Sequence, residues 1–261
     1  MLKQLLGAFA IAIVIAVPAT AQPAGQLPAK SQAAVAVGPQ TADDIIAKSE
    51  EAQGGLAKLK AVQSVRMTGK MTVGPGIEAP IVLEMKRPKS LRLDLSIQGM
   101  SITQAFDGTT GWMINPMSGR TDPELLPAEM IKLVEEQADM DGPLMDYKAK
   151  GSTVEFLGKD KAEGADCYKL KLTLKNGDIR TFYLDADSYL LVKLESKTKI
   201  RDTDQLGDTI VGDYKDVGGL MMAHSIDSGQ AGQPVRQKMT IDKIELNVPI
   251  EDARFKMPVK K

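Results

Sequence analysis

From Ser64 onward, apolar and polar positions alternate with a period of two. Met67, Gly69, Met71 and Val73 fall on one side, and Arg66, Thr68, Lys70 and Thr72 on the other. Successive side chains of a strand point to opposite faces, so this is the pattern of a half-buried antiparallel strand. After a turn at Gly74-Pro75-Gly76, Ile81, Leu83 and Met85 alternate with Val82, Glu84 and Lys86, and Pro88 closes the strand. Leu91, Leu93, Leu95 and Ile97 alternate with Arg92, Asp94 and Ser96 before a turn at Gln98-Gly99. Ile102 to Phe106 runs into Asp107-Gly108, a hairpin signal because glycine accepts a positive φ at no steric cost. The chain leaves through Trp112-Met113-Ile114 and stops at Asn115-Pro116.

Helical spacing appears in two places. Thr41-Ala42-Asp43-Asp44 reads as a capped helix start, with Ile45, Ile46 and Ser49 on one face and Gly54-Gly55 at its end. Leu56, Leu59 and Val62 suggest one further short turn. Asp43 and Asp44 are acids of a first helical turn, where they favour the dipole, rather than a catalytic pair. The second place interrupts the strands between Asn115 and Tyr147. Asp122-Pro123 predicts a turn of helix, and Pro127 starts a helix whose apolar face is Met130, Ile131, Val134 and Ala138, with Gly142-Pro143 as its stop.

Strands resume at Val154. Tyr168, Leu170, Leu172 and Leu174 alternate with Lys169, Lys171 and Thr173, and Asn176-Gly177 predicts a two-residue type I′ turn. Phe182 and Leu184 follow, then Leu190, Val192 and Leu194 on a further strand. Met239 and Ile241 are out of phase with Ile244 and Leu246, and a bulge at Asp242-Lys243 would restore the period. About a dozen strand candidates with few helices point to a barrel or a sandwich. One face of the sheet meets water, and the helices are the expected cover for the other.

The first residues change the address. Met-Leu-Lys-Gln, an apolar run from Leu5 to Val17, Pro18 and Ala19-Thr20-Ala21 form the pattern of a secretory signal cut after Ala21. The apolar run is short of the ~20 residues of a membrane span. Residues 22–40, rich in Ala, Pro, Gln, Val and Gly, read as a flexible tether, and residues 41–261 as one domain. The expected location is the periplasm, as a monomer. A formal charge of −1 carries no nucleic-acid footprint. The single cysteine, Cys167, excludes an intrachain disulfide and reads as a small buried side chain.

Candidate chemistry is sparse. The single histidine, His224, sits beside Ser225, but neighbours on a strand point to opposite faces, and His224 is expected on the surface. One His and one Cys leave a zinc site leaning on carboxylates, so no metal is expected. Neither a P-loop nor a Gly-x-Gly-x-x-Gly fingerprint occurs, so no cofactor is implied. The chain has 34 acidic residues, which keeps a carboxylate-based hydrolase open, but aromatics are 4% of residues, poor for stacking on sugars. The 14 methionines are unusual. They serve either to fill gaps in a core short of aromatics or to line a surface that adapts to variable apolar ligands.

Lys86-Arg87-Pro88, Asp107-Gly108-Thr109-Thr110-Gly111-Trp112 and Asn115-Pro116 resemble, in order and spacing, motifs of the periplasmic lipoprotein-carrier (LolA-like) family. The closing segment Asp252 to Pro258 and the helix running into Ser64 to Lys70 are similar too, so the resemblance covers about residues 41–258. It implies a mainly β fold, a half-open antiparallel β-barrel of about 11–12 strands with a helical lid. It also implies a non-enzymatic carrier of acylated lipoproteins or lipids from an inner-membrane donor to an outer-membrane acceptor. On that reading the hollow is lined by Met67, Met71, Leu83, Met85, Leu93, Leu95, Phe106, Trp112, Met130, Ile131, Leu170 and Leu172, and Arg87 tethers the lid and governs handover. A hydrophobic-ligand sensor of the same fold, without transport, is the alternative.

Overall fold

The computed structural model describes residues 40–74, 76–200 and 203–259. The expected export leader and nearly all of the expected tether lie outside them. Helix α1 (Ala42–Ala52) begins with a full capping box: the Asp44 amide donates to the Thr41 hydroxyl, and the Asp44 carboxylate accepts from the Thr41 amide at 3.0 Å. A short helix α2 (Leu56–Ala61) follows. Six strands come next, β1 (Ser64–Gly74), β2 (Ile77–Lys86), β3 (Ser90–Ile97), β4 (Met100–Phe106), β5 (Gly111–Asn115) and β6 (Arg120–Leu125). Helix α3 (Ala128–Gln137) separates them from β7 (Thr153–Ala162), β8 (Ala165–Thr173), β9 (Ile179–Asp185), β10 (Leu191–Ile200), β11 (Thr203–Val217), β12 (Leu220–Gln230) and β13 (Arg236–Leu246). Among the described residues no helix is long and apolar enough to cross a membrane.

The thirteen strands form one antiparallel sheet in the order β6-β5-β4-β3-β2-β1-β13-β12-β11-β10-β9-β8-β7. Its two edges, β6 and β7, are consecutive in the chain, and among the described residues nothing pairs them. The barrel is therefore half open, and the segment carrying α3 spans the interval between its edges. The β1–β13 pair joins the early strands to the late ones. The bulge expected at Asp242 is there: Gly69 faces Ile241 and Thr68 faces Lys243, leaving Asp242 extra. A Cβ on Gly69 would meet the Thr240 carbonyl oxygen at 2.1 Å, so only glycine fits against the bulged strand.

Three local expectations are corrected. Asp122-Pro123 belongs to strand β6, not to a helix; proline is tolerated on an edge strand, which need not donate to a second neighbour. The turn at Asn176-Gly177 is not type I′, because only Gly177 has a positive φ. The Gly177 amide donates to the Leu174 carbonyl and the Leu174 amide to the Asp178 carbonyl, which makes a longer loop closed by one left-handed glycine. Among the described residues the strands number thirteen rather than about 11–12, β6 being the strand hidden by its proline.

The sheet has an inner face, covered by helices, and an outer face. Part of the outer face is dry as well. The chain beyond β13 folds back across β2 to β5, where Lys86 Nζ donates to the Ile250 carbonyl at 2.8 Å and pairs with Asp252. Glu84, only 2% exposed, accepts from Arg66 with one oxygen and from Arg254 with the other. A buried carboxylate is tolerable only when paired in this way. Helices are thus not the sole cover of the sheet.

Candidate functional site

Antiparallel register fixes which side chains share the inner face of the early strands. Met67 faces Leu83, Leu83 faces Leu93, Leu93 faces Gln104, and Gln104 faces Met113. In the next row Val65 faces Met85, Met85 faces Leu91, and Leu91 faces Phe106. Residues directly opposite point the same way. Helix α3 lies over these rows, packing Met130, Ile131, Val134 and Ala138 against Leu83, Met85, Leu91, Phe106 and Met113. Gly111 admits it: a Cβ there would meet Ile131 Cδ1 at 2.5 Å.

The burial is uneven. Val134, Ala138, Leu91 and Phe106 are buried, whereas Met67, Leu83, Met85, Leu93, Met113, Met130 and Ile131 keep part of their surface open. These are inward-facing apolar groups beneath a helix. In a filled core they would close on one another, as native interiors are packed to crystal-like density. Here they form a greasy wall that is only partly covered, with Met140 of the segment after α3 packed into the same cluster as Met67 and Leu93.

Not every expected lining residue belongs to that wall. Met71 and Leu95, each 1% exposed, share the inner face but are packed solidly in the cluster around Ile81 and Ile241. Leu170 and Leu172 share the inner face of the late strands and are fully buried beneath Ile45 and Ile46 of α1. Trp112 lies on the other side of the sheet. It pairs with Ala105 and Leu125, whereas Phe106 pairs with Gly111, so Phe106 and Trp112 face opposite ways. Its indole Nε1 donates to the Phe255 carbonyl at 2.7 Å, and the Arg92 guanidinium sits 5.7 Å from the ring centroid. Trp112 anchors the C-terminal strap, not a ligand.

His224 is also corrected. It is buried, not a surface residue. It shares a face of β12 with Met222 and Ile226, which pack into the inner cluster, and the end of α1 docks on this strand through Met221 N donating to the Gln53 carbonyl. Its Nδ1 lies 3.0 Å from the Met222 carbonyl oxygen. Among the described residues no group of three or more His, Cys, Asp and Glu is placed to hold a metal.

Arg87 stands at the rim, just past β2. Its Nη1 donates to Asp141 Oδ2 at 2.8 Å and its Nη2 to the other carboxylate oxygen. Nε donates to the Val62 carbonyl at 2.7 Å and Nη2 to that of Leu59 at 3.2 Å. One guanidinium thus ties the end of β2, the end of α2 and the segment that follows α3, using the planar fork that suits arginine to such nodes. The hydrogen bonds from Arg87 hold the Asp141 carboxyl below the usual aspartate range, and those to Asp141 raise Arg87.

Three more ties flank α3. Glu135 pairs with Lys89 at 3.0 Å, and Asp139 with Lys150 at 2.7 Å. Glu136 accepts a two-pronged bond from Arg180 on β9, whose side chain is 4% exposed and also donates to the Ile179 carbonyl. These partners are 46, 11 and 44 residues apart. Nothing local in the sequence marks them; only Arg87 was singled out, through its resemblance to a family motif.

Solved structures share this fold. A domain from Vibrio parahaemolyticus, named for outer membrane lipoprotein sorting, matches with a TM-score of 0.56 at 11% identity, covering 80% of this chain and 95% of its own. A LolA superfamily protein from Nitrosomonas europaea matches with a TM-score of 0.56 at 12% identity, over 84% of this chain and 98% of that one. A DUF1329 family protein from Desulfovibrio piger gives 0.55 at 12% identity, with the same coverage of 84% and 98%. No family model and no curated protein matches the sequence. At these identities the likeness is one of fold, and it is the half-open LolA-like fold that the motifs around Arg87 and Asp107 implied.

Proposed function

We propose that this chain is an exported, non-enzymatic carrier that holds the acyl chains of lipoproteins or lipids between α3 and the early strands and moves them toward the outer membrane. The observation that carries the reading is the partly open wall of Met67, Leu83, Met85, Leu93 and Met113 under a helix tied at its edges by ion pairs. Each methylene buried there contributes ~0.8 kcal/mol, so a hydrocarbon tail can be held firmly without covalent chemistry. Methionines suit such a wall because their unbranched, polarisable side chains adapt to varied shapes. Arg87 acts in this reading as the catch of the lid: breaking its bonds to Asp141 frees the segment behind α3 and lets cargo leave. The relatives named for lipoprotein sorting and for the LolA superfamily support the same class of role. The leader, cleaved after Ala21, would deliver a monomeric domain to the periplasm, between an inner-membrane donor and an outer-membrane acceptor.

Native mass spectrometry of the protein purified from the cell envelope without detergent tests the reading. Acylated species should travel with it, and donor vesicles loaded with a fluorescent lipid should lose it to acceptor vesicles when the protein is added. Retention of lipid with no transfer would convert the reading to a sensor. Absence of both, with turnover of an ester or glycan, would replace it with a hydrolase. The mass of the periplasmic form should begin at Gln22.

A further inference from the structure

One polar side chain interrupts the greasy wall. Gln104 lies on β4 between Leu93 on β3 and Met113 on β5, with Phe106 two residues along on the same face. It is 4% exposed, and its Oε1 has no hydrogen-bond partner. The positions in its row, Met67, Leu83, Leu93 and Met113, are all apolar. A buried acceptor left unmade is costly, and methionine would fill the same space at no such cost. Asn115, two residues past Met113, has an unpaired buried Oδ1 as well. A saturated chain would leave the Gln104 oxygen unpaired, and so would an ester, which has only acceptors. An amide N–H or a hydroxyl would pair it.

We propose that Gln104 accepts a hydrogen bond from the bound amphiphile, so that the hollow selects acyl compounds with an amide N–H or hydroxyl beside the chain over their ester counterparts. This deepens the carrier reading and rests on it. Another unpaired buried oxygen, Gln237 Oε1, supplies the control. It lies on β13 opposite Ser228, which is itself bonded to Thr209, and two residues before Met239 of the solid inner cluster.

The experiment uses two probes of nearly equal shape, N-methylhexadecanamide and methyl hexadecanoate, each displacing a fluorescent hydrophobic dye from the purified protein. The wild type should bind the amide about tenfold more tightly than the ester. Gln104→Met should bind the two within about twofold, chiefly by losing affinity for the amide, while Gln237→Met keeps the wild-type preference. Gln104→Leu replaces the methionine variant if that one does not fold. Equal binding by the wild type, a preference for the ester, or a preference that survives in the Gln104 variant or vanishes only in the Gln237 variant overturns the proposal. Binding of neither probe would remove the carrier reading itself, which separates the two failures.

Discussion

The same face of one sheet is covered in two different ways. Over the late strands, α1 buries Ile45 at 0% exposure and Ile46 at 7% against Leu170, Leu172 and Leu184, none of them more than 1% exposed. Over the early strands, α3 buries Val134 and Ala138 but leaves Met130 and Ile131, and the wall beneath them, part open. α1 has a full capping box, whereas α3 starts at Pro127 with no side-chain cap and is tied by Arg87, Lys89, Lys150 and Arg180 to carboxylates on or just after it. Apolar contact grows with area and has no preferred release point, while an ion pair at a rim can be broken singly. In the proposed reading α1 is a plug and α3 a lid.

The largest expected effect is at the plug. Ile45→Ala should cost about 2–5 kcal/mol, since it empties a site with no exposure. Thermal unfolding should shift as a whole, with α1 and the late strands lost together; a shift of less than a degree or two would mean that α1 is not part of the core. Next comes the catch. Arg87→Leu leaves Asp141, 19% exposed, without its bidentate partner and should cost about 1–2 kcal/mol, less than for a fully buried pair because water reaches both groups. The loss should appear as faster hydrogen exchange confined to residues 128–141, with exchange in α1 unchanged. Equal acceleration in both helices would show that the two covers are not independent.

A smaller effect is expected at the lid surface. Met130→Ala removes a half-open side chain and should cost about 1 kcal/mol or less, below the range for buried methionine. Its sharper readout is dye affinity, which should fall more than stability does. The smallest effect is that of pH. Asp141 is held below the usual aspartate range by Arg87, so the carboxylate's contribution is fully present above the unfolded-state pKa and is lost as pH falls through the lower folded one. Exchange protection of residues 128–141, corrected for intrinsic rates, should hold from neutrality to about pH 4 and decline below it. In Asp141→Asn that acid-linked decline should be smaller, the remainder coming from Glu135, Glu136 and Asp139.

The sequence showed the fold wherever one face of a strand carries charged side chains. Alternation placed Met67, Leu83 and Leu93 on one side because Arg66, Glu84 and Arg92 hold the other, and the bulge at Asp242 followed from a single break in phase. Where both faces are dry the period disappears. Ile102 to Phe106 are all buried, by α3 on one side and the C-terminal strap on the other, so nothing local revealed that Phe106 and Trp112 face apart. Proline concealed β6, because a helix start and an edge strand tolerate it equally. The ties that define the lid join residues far apart in the chain, beyond the reach of any window. Gln104 was hidden for a simpler reason: an unpaired amide is visible only once its neighbours are known.

Intermolecular NOEs to the methionine methyls test the account most directly. With protein carrying labelled methionine methyls and bound N-methylhexadecanamide, chain protons should contact Met67, Met85, Met113 and Met130, all on the inner wall or on α3, and should not contact Met117 on its exposed turn or Met257 in the C-terminal segment. Contacts confined to Met117 and Met257, with none to the inner four, would mean that the space under α3 does not receive a hydrocarbon chain.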